Sequence, residues 1–311
     1  MHLTTRQLEA ILDRALPGER LRDSRALAEG RYALGLAGGE RLTVQVYGTR
    51  AEATTAAEAL RMLRGEVDLP IPILRASDPE GQTIGVPYVL TGEVSGEPLA
   101  QVAGRMPEEQ LYNLGRRLGE IVQRVHRLAC PAYGALAGGE PGAAADERAY
   151  AGARLERELE RCGELGLLDR RAAAEVAEWF GRVFSPAGRQ PALVHGGLGP
   201  QSILVRQGER GWRIGGLLGW GRALGWSPAW EHVTFMDAHD DPRYFSLRVG
   251  YGNGYDEQTT RTYEQVREHA LAPYRALLAL RRMQEAAARG DVAGCERRRA
   301  ALRGLVRVMD T

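Results

Sequence analysis

The densest group of side chains that could hold a metal ion lies near the start of the last third of the chain, at Asp237, His239, Asp240 and Asp241. Carboxylates and imidazoles are common ligands of divalent ions, but this spacing matches no metal-binding motif. We therefore expect an exposed helix end or loop here. The alternative is an acidic rim that contacts a cationic ligand.

Two histidines are further candidates for acid–base chemistry. His195 begins a glycine-rich run, HGGLGPQSILV at residues 195–205, and no nucleophile signature of serine or cysteine adjoins it. His126 follows a long helix with an apolar stripe, where a cation would complement the helix dipole. We expect structural roles for both side chains.

Lysine is missing from the sequence, so every basic side chain other than histidine is an arginine. An arginine-rich codon usage is the simplest explanation. The chemical consequence is the same in any case, because no lysine exists to bind a phosphate, form a Schiff base or serve as a general base.

Composition excludes several classes of protein. The 311 residues carry a net charge of +1 and are 44% hydrophobic, which is typical of a globular chain and not of a nucleic-acid-binding protein. No apolar run approaches the ~18 residues that span a membrane, and the N-terminus lacks a signal-peptide layout. Three scattered cysteines, Cys130, Cys162 and Cys295, predict free thiols and a cytoplasmic location.

The first third of the chain predicts a small β-sheet with helices. A capping box begins a helix at Thr4, and Pro17 ends it. A hairpin is predicted over residues 32–36 and 42–47, a helix over 53–63 and a strand over 86–90.

The rest of the chain is predicted to be mostly helical. Helices are expected over residues 107–128, 150–162, 169–184 and from 230 onward, with a break at 251–255. A strand at 192–194 leads to a hairpin of residues 202–206 and 212–218. We therefore expect an N-lobe at 1–91, a linker at 92–98 and a C-lobe at 99–311 that contains the hairpin region 193–220.

Several local runs, in this order, resemble the aminoglycoside phosphotransferase and choline kinase family. The runs are GVPYVL at 85–90, GEPL at 96–99, VHRL at 125–128, HGGLGPQSILV at 195–205, GLLGWGRA at 216–223 and SPAWE at 227–231. The resemblance implies an α+β fold like that of protein kinases, with a small antiparallel N-lobe, a larger helical C-lobe and a ligand cleft between them.

The resemblance also shows which catalytic groups are missing. The family's catalytic loop reads His-Gly-Asp-Leu-x-x-x-Asn, and its metal-binding loop has Asp before Trp. This sequence has Gly197, Ser202 and Gly219 at those three positions. Magnesium requires oxygen ligands, usually including carboxylates, and phosphoryl transfer requires a group that orients the attacking hydroxyl. We therefore predict neither catalytic residues nor a metal site here.

Three further residues are candidates for contacts with a cofactor in the cleft. The family's phosphate-binding cation should fall near Gln45, and the glutamate that pairs with it would be Glu58, which is predicted to lack that partner. Glu93 lies at the linker. The glycine-rich turn near Gly30 has a single glycine where the family often has two.

These expectations lead to a pseudokinase, with a kinase-like fold that binds a ligand or regulates a partner without phosphoryl transfer. No cofactor is expected. The partner would be a small molecule or a protein, and binding to nucleic acid or a membrane is not expected. The oligomeric state is left open. The alternative is an active ATP- and magnesium-dependent phosphotransferase that uses Glu58, Glu93, Glu231 or Asp237 instead. A third hypothesis is a structural subunit that pairs with an active relative.

Overall fold

A computed structural model of the chain describes residues 2–65, 70–136, 144, 146–186, 190–209, 211–236, 241–255 and 257–308. These residues form an α+β fold of two lobes, as the sequence predicts. Of the predicted metal-ligand group, Asp237, His239 and Asp240 lie outside the described residues.

The N-lobe is a five-stranded antiparallel sheet with a helix against each face. The strand order is β1-β2-β3-β5-β4. Helix α1 packs with Leu42, Val44 and Leu90 on one face, and α2 packs in the same cluster as Val89 on the other. The elements are α1 (Thr5–Ala15), β1 (Leu21–Ala28), β2 (Arg31–Leu36), β3 (Arg41–Val46), α2 (Arg50–Leu63), β4 (Leu74–Asp78) and β5 (Tyr88–Gly92).

Local sequence signals account for the elements that were predicted. The Thr4 side chain accepts from the backbone N–H of Gln7, and the Gln7 side chain accepts from the Thr4 N–H, so the capping box is confirmed. In β3, apolar residues alternate with polar ones and point to the α1 side, as expected for a strand buried on one face.

Two strands of the N-lobe were not predicted, and both lie at the edges of the sheet. Strand β1 exposes five successive residues, and β4 is mostly half-buried. These two edge strands are exposed or only half-buried along most of their length, so they lack the apolar alternation that identifies a strand from sequence. The pairing of β1 with β2 and of β4 with β5 therefore identifies these strands, whereas sequence periodicity did not.

The C-lobe is mainly helical and contains two small sheets. Strand β7 pairs with β10, and a second sheet has the order β6-β8-β9. The elements are β6 (Glu97–Pro98), α3 (Leu99–Val102), α4 (Glu108–Val125), α5 (Glu147–Glu164), α6 (Arg170–Val183), β7 (Ala192–Val194), β8 (Ile203–Gly208), β9 (Gly211–Leu217), β10 (Leu224–Trp226), α7 (Pro228–Met236), α8 (Phe245–Gly254), α9 (Glu257–Ala288) and α10 (Val292–Val308). No helix in the described part of the chain is both long and apolar enough to cross a bilayer.

Helices α4 and α8 approach so closely that their backbones touch. A Cβ atom at Gly115 would lie 2.0 Å from the Leu247 carbonyl oxygen, and one at Gly250 would lie 2.0 Å from that of Tyr112. The predicted break at 251–255 is wrong up to Gly254, because α8 continues to Gly254, where a Cβ atom would meet the backbone of Arg116 in α4. Glycine is permitted in a helix where a neighbouring backbone leaves no room for a side chain.

The linker between the lobes is attached to the predicted hairpin. Glu97 and Pro98 pair with Val205 and Leu204 of β8, which forms a hairpin with β9. The backbone of the linker thus lies beside the floor of the cleft between the lobes. This arrangement places the motif-bearing loops before β8 and after β9 side by side.

Candidate functional site

The loop after β7 is fixed from below by a buried carboxylate. Glu231 of α7 is only 1% exposed, and its Oε2 accepts the backbone N–H groups of His195 and Gly196. Burial raises the pKa of Glu231 to about 7. The Glu231 carboxylate therefore anchors the loop and does not face the cleft.

His195 connects the two loops that carry the motifs. Its Nε2 donates to the Leu218 carbonyl oxygen at 2.7 Å, and its ring lies 4.5 Å from that of Trp220, centroid to centroid. Burial lowers the pKa of His195 to about 4, so the ring is neutral near pH 7. These contacts are those of a positioning residue, which is the role the sequence predicts.

The loops also touch backbone to backbone. Gly196 has φ 70°, and a Cβ atom there would lie 2.1 Å from the Arg222 carbonyl oxygen. Only glycine fits a position with both a positive φ and no space for a side chain. This close approach brings Arg222 beside the next residue of the loop, Gly197.

The three positions where the family has polar metal or catalytic groups do converge in space. A Cβ atom at Gly197 would lie 4.0 Å from Nδ1 of His195, and one at Gly219 would lie 3.7 Å from its Cε1 and 3.8 Å from Cβ of Ser202. The three positions that the motif runs identified therefore lie around one point, next to His195.

The chemistry at that point does not suit a magnesium ion. The Ser202 Oγ accepts from the Gly199 N–H at 3.0 Å and donates to the Gly199 carbonyl oxygen at 2.9 Å, so it closes its own loop. Gly197 and Gly219 have no side chains. A Cβ atom at Gly197 would lie 3.5 Å from Cδ of Arg222, which puts the aliphatic stem of a basic side chain beside the position. Among the described residues, no group of three His, Cys, Asp or Glu side chains could hold a metal ion. The residues present do not fit the metal that the fold family implies.

An aromatic side chain of the N-lobe packs against the loop after β9, at Gly221. A Cβ atom at Gly221 would lie 2.7 Å from Cε1 of Tyr47 and 3.3 Å from the carbonyl oxygen of Glu52 in α2. Burial is the main reason that the pKa of the Tyr47 hydroxyl is raised. Sequence reasoning missed Tyr47, because its contact exists only when α2 packs on the loop after β9.

Gln45 and Glu58 are each engaged within the N-lobe. The Gln45 amide donates to the carbonyl oxygens of Val46 at 2.9 Å and Gly30 at 3.4 Å. Glu58 forms an ion pair with Arg61, at 2.5 Å on the exposed side of α2, so the expectation that it lacks a partner is corrected. Contact of either residue with a ligand stays a prediction.

A cavity of about 340 Å³ opens farther out in the cleft, between the sheet and the linker. Glu93 lines it and pairs with Arg41 at 2.5 Å. Of the three predicted cofactor contacts, only Glu93 lies in this lining. The remaining lining residues are Arg25, Leu27, Arg31, Thr43, Pro72, Thr91, Gly92, Val94, Ser95, Gly96, Leu204 and Leu218. The arginines were missed because they belong to three strands, β1, β2 and β3, and line one cavity only once those strands pair.

The other chemical candidates have structural roles where the structure describes them. Asp241 caps a short turn and pairs with Arg243, which lowers the pKa of Asp241. His126 ends α4 as predicted, but burial lowers its pKa well below the usual range, so it is not the expected cation. Three tryptophans of this region, Trp220, Trp226 and Trp230, are buried in the core.

Comparison with solved structures places the fold. The aminoglycoside phosphotransferase APH(4)-Ia, as a thermostable mutant in a ternary complex with AMP-PNP and hygromycin B, is similar with a TM-score of 0.67 at 15% identity, over 98% of each chain. APH(2″)-IIIa in a complex with GDP and kanamycin is similar with a TM-score of 0.62 at 15% identity, over 96% of this chain and 97% of the other. At these identities the likeness concerns the fold.

Comparison of sequences gives the family. No curated protein sequence matches this one significantly. A profile of the phosphotransferase enzyme family matches residues 22–269, which include both lobes and every motif run described above. This chain therefore belongs to the phosphotransferase enzyme family, whose aminoglycoside phosphotransferases share its kinase-like fold.

Proposed function

We propose that this protein is a pseudokinase of the phosphotransferase family: it binds a ligand in the cleft between its lobes and transfers no phosphoryl group. One observation carries the proposal. Where the family's loops provide carboxylates, this chain has Gly197 and Gly219, and the side-chain stem of Arg222 borders the first of them. The scaffold that positions those loops is nevertheless complete, from the Glu231 carboxylate to the His195 ring.

The size of the missing effects supports this proposal. Metal and electrostatic clamps each contribute several kcal/mol to the stabilisation of such transition states. Loss of a general base alone costs about 10²–10⁴ in rate. These losses are not additive, but a chain that lacks the base, the metal ligands and the phosphate-binding cation together is expected to give no detectable transfer.

The acidic residues that the active alternative requires are committed elsewhere. Glu58 pairs with Arg61, Glu93 pairs with Arg41, and Glu231 is buried beneath the loop. The fourth, Asp237, lies outside the described residues. The active alternative therefore requires the ion pairs of Glu58 and Glu93 to break. A cytoplasmic, non-catalytic role is our preferred proposal.

The direct test is turnover with purified protein. ADP release would be followed with ATP and either Mg²⁺ or Mn²⁺, alone and with a panel of hydroxyl compounds that includes aminoglycosides. We expect no product above the rate without protein. Chelator-sensitive formation of a phosphorylated acceptor by the wild type, lost in the Glu93→Gln or Glu58→Gln variant, would establish the active alternative.

A further inference from the structure

The cavity beside the linker carries an excess of positive charge. Arg25, Arg31 and Arg41 contribute to its lining from three adjacent strands, and Glu93 is the one acidic side chain among the lining residues. Within β1 and within β3 the lining positions are two residues apart, so they lie on one face of the sheet. The charge is thus a feature of that face and not of one loop.

Arg31 is a partly buried arginine of this lining whose side chain has no partner among the described residues. Its Nε atom is buried without a hydrogen-bond partner. Among the residues that the structure describes, no hydrogen bond or ion pair to the Arg31 side chain is found, whereas the Arg41 side chain is paired with Glu93. Desolvation is the sole cause of a lowered pKa at Arg31, with no carboxylate opposing it.

A desolvated and unpaired cation is costly, and an anion in contact with it removes that cost. The guanidinium group binds carboxylates and phosphates through two parallel hydrogen bonds, which makes an oxyanion its natural counterpart. The rest of the lining suits an organic body on that anion. Leu27, Pro72, Leu204 and Leu218 provide apolar walls, and the volume of about 340 Å³ admits a small molecule.

We propose that this cavity binds a small organic oxyanion, a phosphomonoester or a carboxylate with an apolar body, which Arg31 contacts directly and without a divalent metal ion. The inference rests on the proposed non-catalytic function, because it names the ligand class of the same cleft. It requires none of the carboxylates that this chain lacks at positions 197 and 219.

Three probes that share a phenyl ring separate the contribution of charge from that of the apolar body. Phenyl phosphate and benzoate present the two oxyanions on the same ring, and benzamide presents the ring without a charge. Binding would be measured by isothermal titration calorimetry in EDTA at constant ionic strength. We expect at least one anion to bind at least about tenfold more tightly than benzamide, and the stronger anion identifies the headgroup.

Matched variants test the role of Arg31. Arg31→Gln should weaken the better anion by about tenfold to a hundredfold, the loss expected for a charge-assisted pair of hydrogen bonds. Arg20→Gln makes the same charge change at an exposed position outside the cavity and should bind as the wild type does. Should Arg31→Gln fail to fold, Arg25→Gln on the exposed edge strand replaces it, with weaker anion binding expected.

The inference is overturned if benzamide binds as tightly as both anions, if neither anion binds, or if the cavity variants bind like Arg20→Gln. A requirement for Mg²⁺ would overturn it as well. These results leave the turnover assay untouched. Conversely, phosphoryl transfer by the wild type would refute the pseudokinase proposal without changing the outcome of the binding experiment.

Discussion

The side chain of Arg222 lies beside Gly197, with its Cδ atom 3.5 Å from where a Cβ at Gly197 would be. In the family's loop this position has a carboxylate that faces the attacking hydroxyl. Here the aliphatic stem of an arginine borders the position, and the backbone of Arg222 packs against Gly196, which fixes where that side chain begins. The packing of the two loops thus sets the stem of a basic side chain beside Gly197.

A carboxylate introduced at position 197 should form an ion pair instead of a catalytic group. The contact with Arg222 is an ordinary van der Waals distance, and φ at Gly197 is not positive, so a side chain fits. We expect Gly197→Asp to be more stable than Gly197→Asn by about 0.5 kcal/mol at low salt. Urea unfolding in low and high salt measures this difference, which should vanish in an Arg222→Ala background. Equal stability of the two variants at low salt would count against the proximity of Arg222.

Position 219 has space for a side chain but the wrong backbone conformation for most of them. Gly219 has φ 87° and ψ 33°, whereas the nearest atoms to a Cβ are 3.7 Å away or farther. Gly219→Ala should therefore lose about 1 kcal/mol of stability through backbone strain alone. Gly219→Asn should lose less, because asparagine tolerates the left-handed region. Chemical unfolding of both variants checks the order, and a more stable alanine variant would contradict it.

The buried Glu231 predicts a specific dependence of stability on pH. Its pKa is raised from an ordinary 4.5 to about 7, so the folded state holds this proton more tightly than the unfolded state. The protonated group stabilises the fold below about pH 4.5, and that contribution is lost as pH rises to about 7. Glu231→Gln removes the titration, so its stability relative to the wild type should rise by on the order of 2 kcal/mol between pH 5 and pH 8.

Urea unfolding of both proteins across this pH range gives the measurement. Glu156→Gln, which removes a carboxylate from the exposed side of α5, is the matched control. A stability difference between Glu231→Gln and the wild type that stays constant with pH would show that Glu231 is not held in the buried environment described here.

Two glycines in one helix should respond oppositely to the same substitution. In α8, a Cβ at Gly250 would lie 2.0 Å from the Tyr112 carbonyl oxygen, and one at Gly252 would meet nothing within 4 Å. Gly250→Ala should cost about 3 kcal/mol, because α4 and α8 must separate. Gly252→Ala should stabilise by about 0.5–1 kcal/mol through helix propensity. Thermal or urea unfolding decides this, and similar values for the two variants would mean that the helices are not in backbone contact.

The sequence predicted those parts of the structure that local patterns determine. The capping box at Thr4, the alternation in β3 and the cap of α6 by Asp169 are local signals, and each lies where it was expected. The motif runs identified Gly197, Ser202 and Gly219 as one group of positions. They lie around one point because proteins that share a fold keep such motif positions close in space, which composition alone does not indicate.

What the sequence could not supply depends on contacts between distant segments. The edge strands β1 and β4 have no apolar alternation, and the glycines of α8 indicate a break until α4 is seen against them. The arginines of the cavity belong to three different strands, and only the pairing of those strands brings all three into the lining of one cavity. Likewise, Glu231 becomes a loop anchor only through the packing of α7 beneath β7.

The central claim is that the cleft has no divalent metal site at the two loops, and a manganese-soaked crystal tests it most directly. The wild type would be crystallised, soaked with a non-hydrolysable ATP analogue and Mn²⁺, and examined for anomalous scattering near Ser202 and Gly219. We predict no manganese peak within about 2.5 Å of any protein atom at those residues, since manganese, like other octahedral metals, is held at short oxygen distances. A well-ordered manganese ion joining the nucleotide phosphates to this loop would contradict the account.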